Sequence, residues 1–156
     1  MKRIAVIGAG SWGTTLAQVL NDNGHKVALW VRNPEKANKI AHSRYNADYL
    51  PQLKLADAIE ITSDLTQTVS NAEILLLAVP SHGMADLCCQ LSKITDCTDK
   101  VSVSCTKGFE YHSGLRMSEI IKSYFPSATV AVLSGPNHAE EIAIRQPSAT
   151  VIACQN

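Results

Sequence analysis

Residues 4–17 read IAVIGAGSWGTTLA and join a short apolar run to three closely spaced glycines. The run at 4–7 is rich in β-branched residues, which is typical of a strand buried in a parallel sheet. Gly8, Gly10 and Gly13 then form a G-x-G-x-x-G pattern directly before a helical run. The three glycines permit a tight turn, close approach of a pyrophosphate, and packing of the helix on the strand, respectively. The segment predicts a dinucleotide site at a helix N-terminus; a glycine turn with only a structural role is the alternative.

The bulk composition is that of one globular domain. The chain has 156 residues, nearly half of them hydrophobic, and a formal net charge of zero. This balance does not indicate a basic patch for nucleic acid. The sequence has no run of 18 apolar residues, so it predicts no membrane span. Met1-Lys2-Arg3 leads directly into a strand, unlike a secretory signal. We expect a cytoplasmic protein.

The cysteines indicate neither a metal site nor a disulfide framework. There are five, at positions 88, 89, 97, 105 and 154, and none forms a C-x-x-C pair. An odd count without paired spacing favours free, partly buried thiols. We therefore expect no bound metal.

Strands and helices alternate along the whole chain. Strands are predicted at 4–7, 26–31, 59–62, 73–79, 101–104, 129–133 and 149–153, helices at 11–23, from 34, 64–70, 83–91 and 115–124, and a loop at 46–58. The alternation predicts an α/β fold of Rossmann type, doubly wound, with a mainly parallel sheet and helices on both faces. Right-handed crossovers give the strand order 3-2-1-4-5-6.

Ligands of such sheets bind beyond the carboxyl ends of the strands. The residues expected there are the glycine turn, Arg32, Pro80-Ser81, Lys107-Gly108 and the segment 135–139. Pro80 either packs near a nicotinamide or simply ends its strand. Lys107 either brings positive charge to a ligand or is a surface lysine.

The residue at the end of the second strand bears on the choice of cofactor. NAD sites usually carry an acidic residue there, on the ribose hydroxyls, whereas this chain has Arg32. A guanidinium can bind a 2′-phosphate bidentately and stack on adenine. NADP(H) is therefore the favoured cofactor, and NAD(H) is the alternative. If Arg32 has no role in binding, it is a solvated charge at the end of the strand.

Six motifs, taken together and in order, resemble one family. They are GAGSWGT (8–14), LWVR (29–32), NADYLP (46–51), AVPS (78–81), TKG (106–108) and SGPNHAEE (134–141). The pattern resembles the bacterial-type NAD(P)-dependent glycerol-3-phosphate dehydrogenases over almost the whole chain. The last motif is the most specific, because generic Rossmann domains lack it.

The resemblance implies reversible hydride transfer between NAD(P)H and dihydroxyacetone phosphate, giving sn-glycerol 3-phosphate for glycerophospholipid synthesis. It implies nucleotide contacts from Ser11, Trp12, Arg32, Lys107 and Ala139, with Tyr49 nearby. Lys107, Gly135 and Asn137 would lie at the substrate, although the family usually has Ser or Thr in place of Asn137. Lys107 is the candidate catalytic residue. A homodimer is the oligomeric state that we include among the predictions.

The resemblance also implies a second domain. Family members continue into a helical C-terminal domain that carries the lysine regarded as the proton donor and acceptor. The chain ends where that domain would begin, so residues 1–156 are expected to be the nucleotide-binding half, which alone should turn over substrate poorly or not at all.

Other interpretations of the same residues remain open. The segment 135–137 can seat a phosphate or act as an ordinary helix cap, and His138 is better interpreted as a helix-start residue than as a general acid. Another β-hydroxyacid or ketopantoate-type reductase would share the N-terminal pattern but not SGPNHAEE. A stand-alone NAD(P)-sensing module is the non-enzymatic alternative.

Overall fold

The computed structural model describes residues 1–155. Its strands are β1 (Arg3–Ile7), β2 (Lys26–Trp30), β3 (Tyr45–Asn46), β4 (Leu50–Lys54), β5 (Glu60–Thr62), β6 (Ile74–Leu77), β7 (Val101–Ser104), β8 (Thr129–Ser134) and β9 (Val151–Cys154). Its α-helices are α1 (Ser11–Asp22), α2 (Pro34–Ser43), α3 (Leu65–Ser70), α4 (Met84–Leu91), α5 (Met117–Tyr124) and α6 (Ala139–Ala143). A 3-10 turn at Ser81–Gly83 precedes α4.

Seven strands form one sheet in the order β5-β2-β1-β6-β7-β8-β9. The first six run parallel, and β9 runs antiparallel to β8 along the edge of the sheet. In the central register, Ile4 pairs with Val27 on one side and with Ile74 on the other. The predicted order 3-2-1-4-5-6 is confirmed, and so is the doubly wound, mainly parallel fold class.

Apolar side chains fill both faces of the sheet because its central strands are buried on both sides. Along β1, Ala5 and Ile7 belong to the cluster that includes α4 and α5, while Ile4 and Val6 belong to the cluster that includes α1 and α2. This alternation follows from the two-residue period of a strand. The result is a layer of helices on each face.

The predicted loop at 46–58 is wrong in part. Residues Tyr45–Asn46 and Leu50–Lys54 pair as an antiparallel hairpin outside the main sheet, with an irregular register between Tyr45 and Asn46. The strands are short, one contains Pro51, and neither shows a clean alternation of buried and exposed residues. The usual strand signal is therefore absent from the sequence.

Candidate active site

A cleft of about 870 Å³ opens at the carboxyl ends of β1, β2, β6 and β7. Its volume lies in the range of small-molecule and cofactor sites. Ten of the predicted site residues line it, namely Gly8, Gly10, Ser11, Trp12, Arg32, Tyr49, Pro80, Lys107, Asn137 and Ala139. Gly13 and Gly135 do not contribute to the lining. Six segments of the chain that are far apart in sequence therefore converge on one site.

The glycine turn after β1 depends on two close backbone approaches. Gly8 has a φ of +113°, and a Cβ there would lie 2.5 Å from the carbonyl oxygen of Ala78. A Cβ at Gly13 would lie 1.9 Å from the carbonyl oxygen of Gly8. Neither position can accept a side chain without backbone movement. Gly13 thus permits the close packing of the turn, although it does not line the cleft.

Gly10 differs from its two neighbours in the motif. A Cβ on Gly10 would meet no atom within 4 Å other than those of its chain neighbours, so packing does not require a glycine here. Gly10 is the N-cap of α1, no side chain caps that end, and the first turn contains no acidic residue. The first N–H groups of a helix have no acceptor within the helix and carry partial positive charge. The open glycine and the uncapped helix end fit the pyrophosphate of a dinucleotide.

The cleft continues past the end of β2 to basic side chains. Arg32 lies two residues after the end of β2, and Lys36 lies in the first turn of α2. The Nζ of Lys36 donates to the carboxylate of Asp48 at 2.5 Å. This contact raises the pKa of Lys36 and lowers that of Asp48. Sequence reasoning did not identify Lys36, although the spacing from Arg32 places it on the first turn of a helix that begins there.

Lys107 lies on the wall formed by the loop after β7. The hydroxyl of the preceding Thr106 donates to the carbonyl oxygen of Val79 at 2.6 Å, which ties this loop to the end of β6. The Nζ of Lys107 donates to the backbone carbonyl of Asn137 at 3.3 Å. Lys107 and Pro80 both line the cleft, on loops that follow neighbouring strands.

Asn137 is 7% exposed, and its donors are used inside the protein. Its amide nitrogen lies within 2.7 to 3.0 Å of acceptors on Ser148, Ala149 and Thr150. Its backbone N–H bonds to the carbonyl of Gly135 at 2.9 Å. The buried Oδ1 of Asn137 has no hydrogen-bond partner in the described part of the chain. The geometry leaves this oxygen, rather than a donor, as the unused polar atom of the side chain.

Further cleft residues were not assigned to the site from the sequence. They include the polar residues Asn33, Lys36, His82, Asp86, Gln90 and Glu140. His138, which belongs to the predicted segment 135–139, also lines the cleft. His138 is the N-cap residue of α6 and makes no side-chain cap hydrogen bond. Most of these polar residues lie in or next to the first turn of a helix that follows a strand, a few residues beyond the strand ends at which the site was predicted.

Cys88, Cys97 and Cys105 are buried thiols, and burial raises the pKa of Cys88 and of Cys105 to about 12. Within residues 1–155, the five cysteines are unpaired and no cluster of three His, Cys, Asp or Glu side chains could hold a metal. Across the same residues, no helix has the length and apolar character needed to cross a membrane.

Known proteins resemble this chain in both sequence and structure. Residues 3–156 match the family described as NAD-dependent glycerol-3-phosphate dehydrogenase N-terminus. Glycerol-3-phosphate dehydrogenase (NAD(P)+) from Corynebacterium glutamicum strain R is 46% identical over 156 residues, which cover 99% of this chain and 47% of that protein. The enzyme of the same name from Thermoanaerobacter sp. strain X514 is 42% identical over 154 residues, or 99% of this chain and 46% of the relative.

A solved structure shows the same similarity to glycerol-3-phosphate dehydrogenases. The crystal structure of glycerol-3-phosphate dehydrogenase from Coxiella burnetii superposes with a TM-score of 0.93 at 30% identity, covering 99% of this chain and 47% of that one. The chain thus spans about half the length of the relatives it matches. It belongs to the NAD-dependent glycerol-3-phosphate dehydrogenase family and corresponds to the N-terminal domain of that family.

Proposed function

We propose that this chain is the nucleotide-binding half of a glycerol-3-phosphate dehydrogenase. The complete enzyme transfers hydride between NAD(P)H and dihydroxyacetone phosphate and forms sn-glycerol 3-phosphate. The observation that carries the proposal is the convergence of the uncapped α1 N-terminus and Lys107 on one cleft. This convergence supports a pyrophosphate site and a cation for the substrate oxygen at the same edge of the sheet. Membership of the family supplies the reaction class.

The predicted site residues divide into two groups in this proposal. The nucleotide is held by Gly8, Gly10, Ser11, Trp12, Gly13, Arg32, Tyr49, Pro80, Lys107 and Ala139, and the substrate by Lys107, Gly135 and Asn137. Gly8 and Gly13 act through the shape of the turn, because neither can carry a side chain. Gly135 acts in the same way, since a Cβ there would lie 2.6 Å from the carbonyl of Ala149.

The chemistry assigned to this chain is electrostatic. The nicotinamide cofactor supplies the hydride that is added to the carbonyl carbon of the ketone. The carbonyl oxygen then gains negative charge and takes up one proton, which makes the secondary alcohol. Lys107 stabilises that charge or the substrate phosphate through its ammonium group. The carbonyl of Asn137 holds the ammonium group of Lys107 at the cleft wall.

Proton delivery is assigned to a helical C-terminal domain. Among the described cleft residues, His138 and Glu140 stand at the start of α6. We interpret both as helix-start residues, so a second domain supplies the proton donor and covers the cleft against water. The 156-residue chain alone should therefore bind cofactor and show little or no turnover.

We also propose NADP(H) as the favoured cofactor. Arg32 lines the cleft at the end of β2, where a carboxylate would be needed to select the ribose hydroxyls of NAD. A role in glycerophospholipid synthesis, a cytoplasmic location and a homodimeric enzyme complete the proposal, and they rest on the family resemblance.

The proposal is tested by titrating the 156-residue chain with NADPH and NADH, alone and with dihydroxyacetone phosphate. We expect saturable binding of a dinucleotide, and turnover once the chain is fused to the C-terminal half of the Corynebacterium glutamicum relative. No dinucleotide binding would overturn the proposal. Binding without turnover in a folded fusion would favour an NAD(P)-sensing module, and turnover with 2-ketopantoate instead would favour another reductase.

A further inference from the structure

Asn46 on the β3–β4 hairpin reaches into the glycine turn. Its side chain is buried, with 3% of the residue exposed. The Nδ2 group donates to the backbone carbonyl of Ala9 at 2.9 Å and to the hydroxyl oxygen of Thr14 at 2.8 Å. Thr14 is fully buried in α1. One side chain therefore contacts both the turn and the helix that follows it.

The bond to Ala9 fixes the direction of a peptide in the turn. The carbonyl of Ala9 and the N–H of Gly10 belong to the same peptide unit, and the described chain has no cis peptide bond. In a trans peptide these two groups point in opposite directions. When Asn46 holds the carbonyl on its own side, the N–H of Gly10 must face away from it. Both residues line the cleft, so this orientation decides which backbone groups a ligand meets.

The hairpin is also attached to the domain at a separate place. The side-chain oxygen of Gln18 accepts from the backbone N–H of Ala56 at 2.9 Å. Arg44 donates to the carbonyl of Ile59 at 2.8 Å. These contacts attach the base of the hairpin through residues that are not part of the glycine turn. Loss of the Asn46 amide should release the turn and leave the hairpin in place.

We infer that Asn46 is a positioning residue that sets the pyrophosphate-binding geometry of the glycine turn. This inference rests on the proposed function, because it concerns how the same cleft binds a dinucleotide. Asn46 itself acts through Ala9 and Thr14. Its loss should weaken ligands that contain the pyrophosphate and spare ligands that contact only the adenosine side.

The test compares two ligands on the 156-residue chain. ADP-ribose contains the pyrophosphate, whereas adenosine contains no phosphate. Calorimetry measures the affinity for ADP-ribose, and ligand-observed NMR measures the affinity for adenosine. In Asn46→Ala we expect the Kd for ADP-ribose to rise about tenfold and the Kd for adenosine to stay within about twofold, since a tenfold change is the equivalent of one lost buried hydrogen bond. Thr14→Val keeps the bond to Ala9 and should give a smaller rise.

Gln18→Ala is the matched control. It removes a side-chain amide that bonds the same hairpin, but at the base, so ADP-ribose affinity should stay within about twofold. Far-UV circular dichroism and a thermal melt report whether each variant is folded. Equal losses for both ligands in Asn46→Ala, or an equal loss in Gln18→Ala, would overturn the inference. Failure of the wild-type chain to bind ADP-ribose would instead overturn the proposed function, and the inference with it.

Discussion

Lys107 is held on the cleft wall by the backbone carbonyl of Asn137, which accepts from its Nζ at 3.3 Å. The side-chain amide of Asn137 is in turn bonded to the segment 148–150, just before β9. The position of the cleft lysine thus depends on a segment at the far edge of the sheet. A carbonyl acceptor leaves the charge of the ammonium group uncompensated, so Lys107 remains able to attract an anionic oxygen.

Removing the Lys107 charge should impair turnover more than binding. In a fusion with the C-terminal half of the Corynebacterium glutamicum relative, Lys107→Met should lower kcat by about 10²-fold or more, as expected for loss of a group that stabilises developing charge. Steady-state kinetics and NADPH titration measure the two effects separately. Lys93→Met removes an exposed lysine after α4 and should leave both unchanged. A Lys107→Met enzyme with full kcat would exclude the assigned role.

The glycine turn yields a second prediction, because two of its glycines are required for different reasons. Gly10→Val places its Cβ where no atom other than those of its chain neighbours lies within 4 Å, so the domain should fold and fail to bind a dinucleotide. Gly13→Ala places a Cβ 1.9 Å from the Gly8 carbonyl and should lower the free energy of unfolding. Urea denaturation and NADH titration separate these outcomes. Unchanged affinity in folded Gly10→Val would contradict the assigned pyrophosphate site.

How much of the structure the sequence could predict depended on how far apart the interacting residues lie along the chain. The glycine turn was predictable because its spacing, strand and helix lie within fourteen consecutive residues. The sheet order followed from the alternation of elements and the handedness of crossovers. Asn46 was placed in a family motif, yet no role for it followed, because its partners Ala9 and Thr14 lie 37 and 32 residues away. The hairpin was missed for a related reason: its pairing is short and irregular.

The contacts of Asn137 were also inaccessible to sequence reasoning. The motif SGPNHAEE suggested free donors at a helix start, whereas the amide is bonded to residues 148–150. That arrangement depends on how the chain folds back along β8, and no local pattern encodes it. Motifs therefore indicated which residues surround the cleft, while the partners of each side chain required the structure.

Stability at low pH should depend on Glu73, which lies just before β6 and away from the cleft. Its carboxylate accepts from Lys2 Nζ at 2.9 Å and from the backbone N–H of Arg3 at 3.0 Å, and these contacts lower its pKa to about 2. A depressed pKa contributes stability that is fully present above the ordinary pKa of about 4.3 and is lost as pH falls towards 2.

Comparison of the wild-type chain with Glu73→Gln tests this dependence. The difference in their free energies of unfolding should be constant from pH 7 to about pH 5 and should shrink between about pH 4.3 and pH 2. Urea denaturation at several pH values measures it. Added salt should reduce the part that comes from the exposed ion pair with Lys2. A difference that does not vary with pH would show that Glu73 contributes only through packing or neutral hydrogen bonding.

The choice of cofactor should depend on Arg32. Arg32→Asp replaces an attractive charge with a repulsive one at the 2′-phosphate, so NADPH affinity should fall by about tenfold or more relative to NADH affinity. Lys36→Met should reduce the preference less, because the Lys36 ammonium is already paired with Asp48. Lys39→Met removes another exposed lysine of α2 that does not line the cleft, and it serves as the control. Titrations with both cofactors at fixed ionic strength measure these ratios. Equal losses for NADPH and NADH in Arg32→Asp would show that Arg32 stacks or packs without selecting the cofactor.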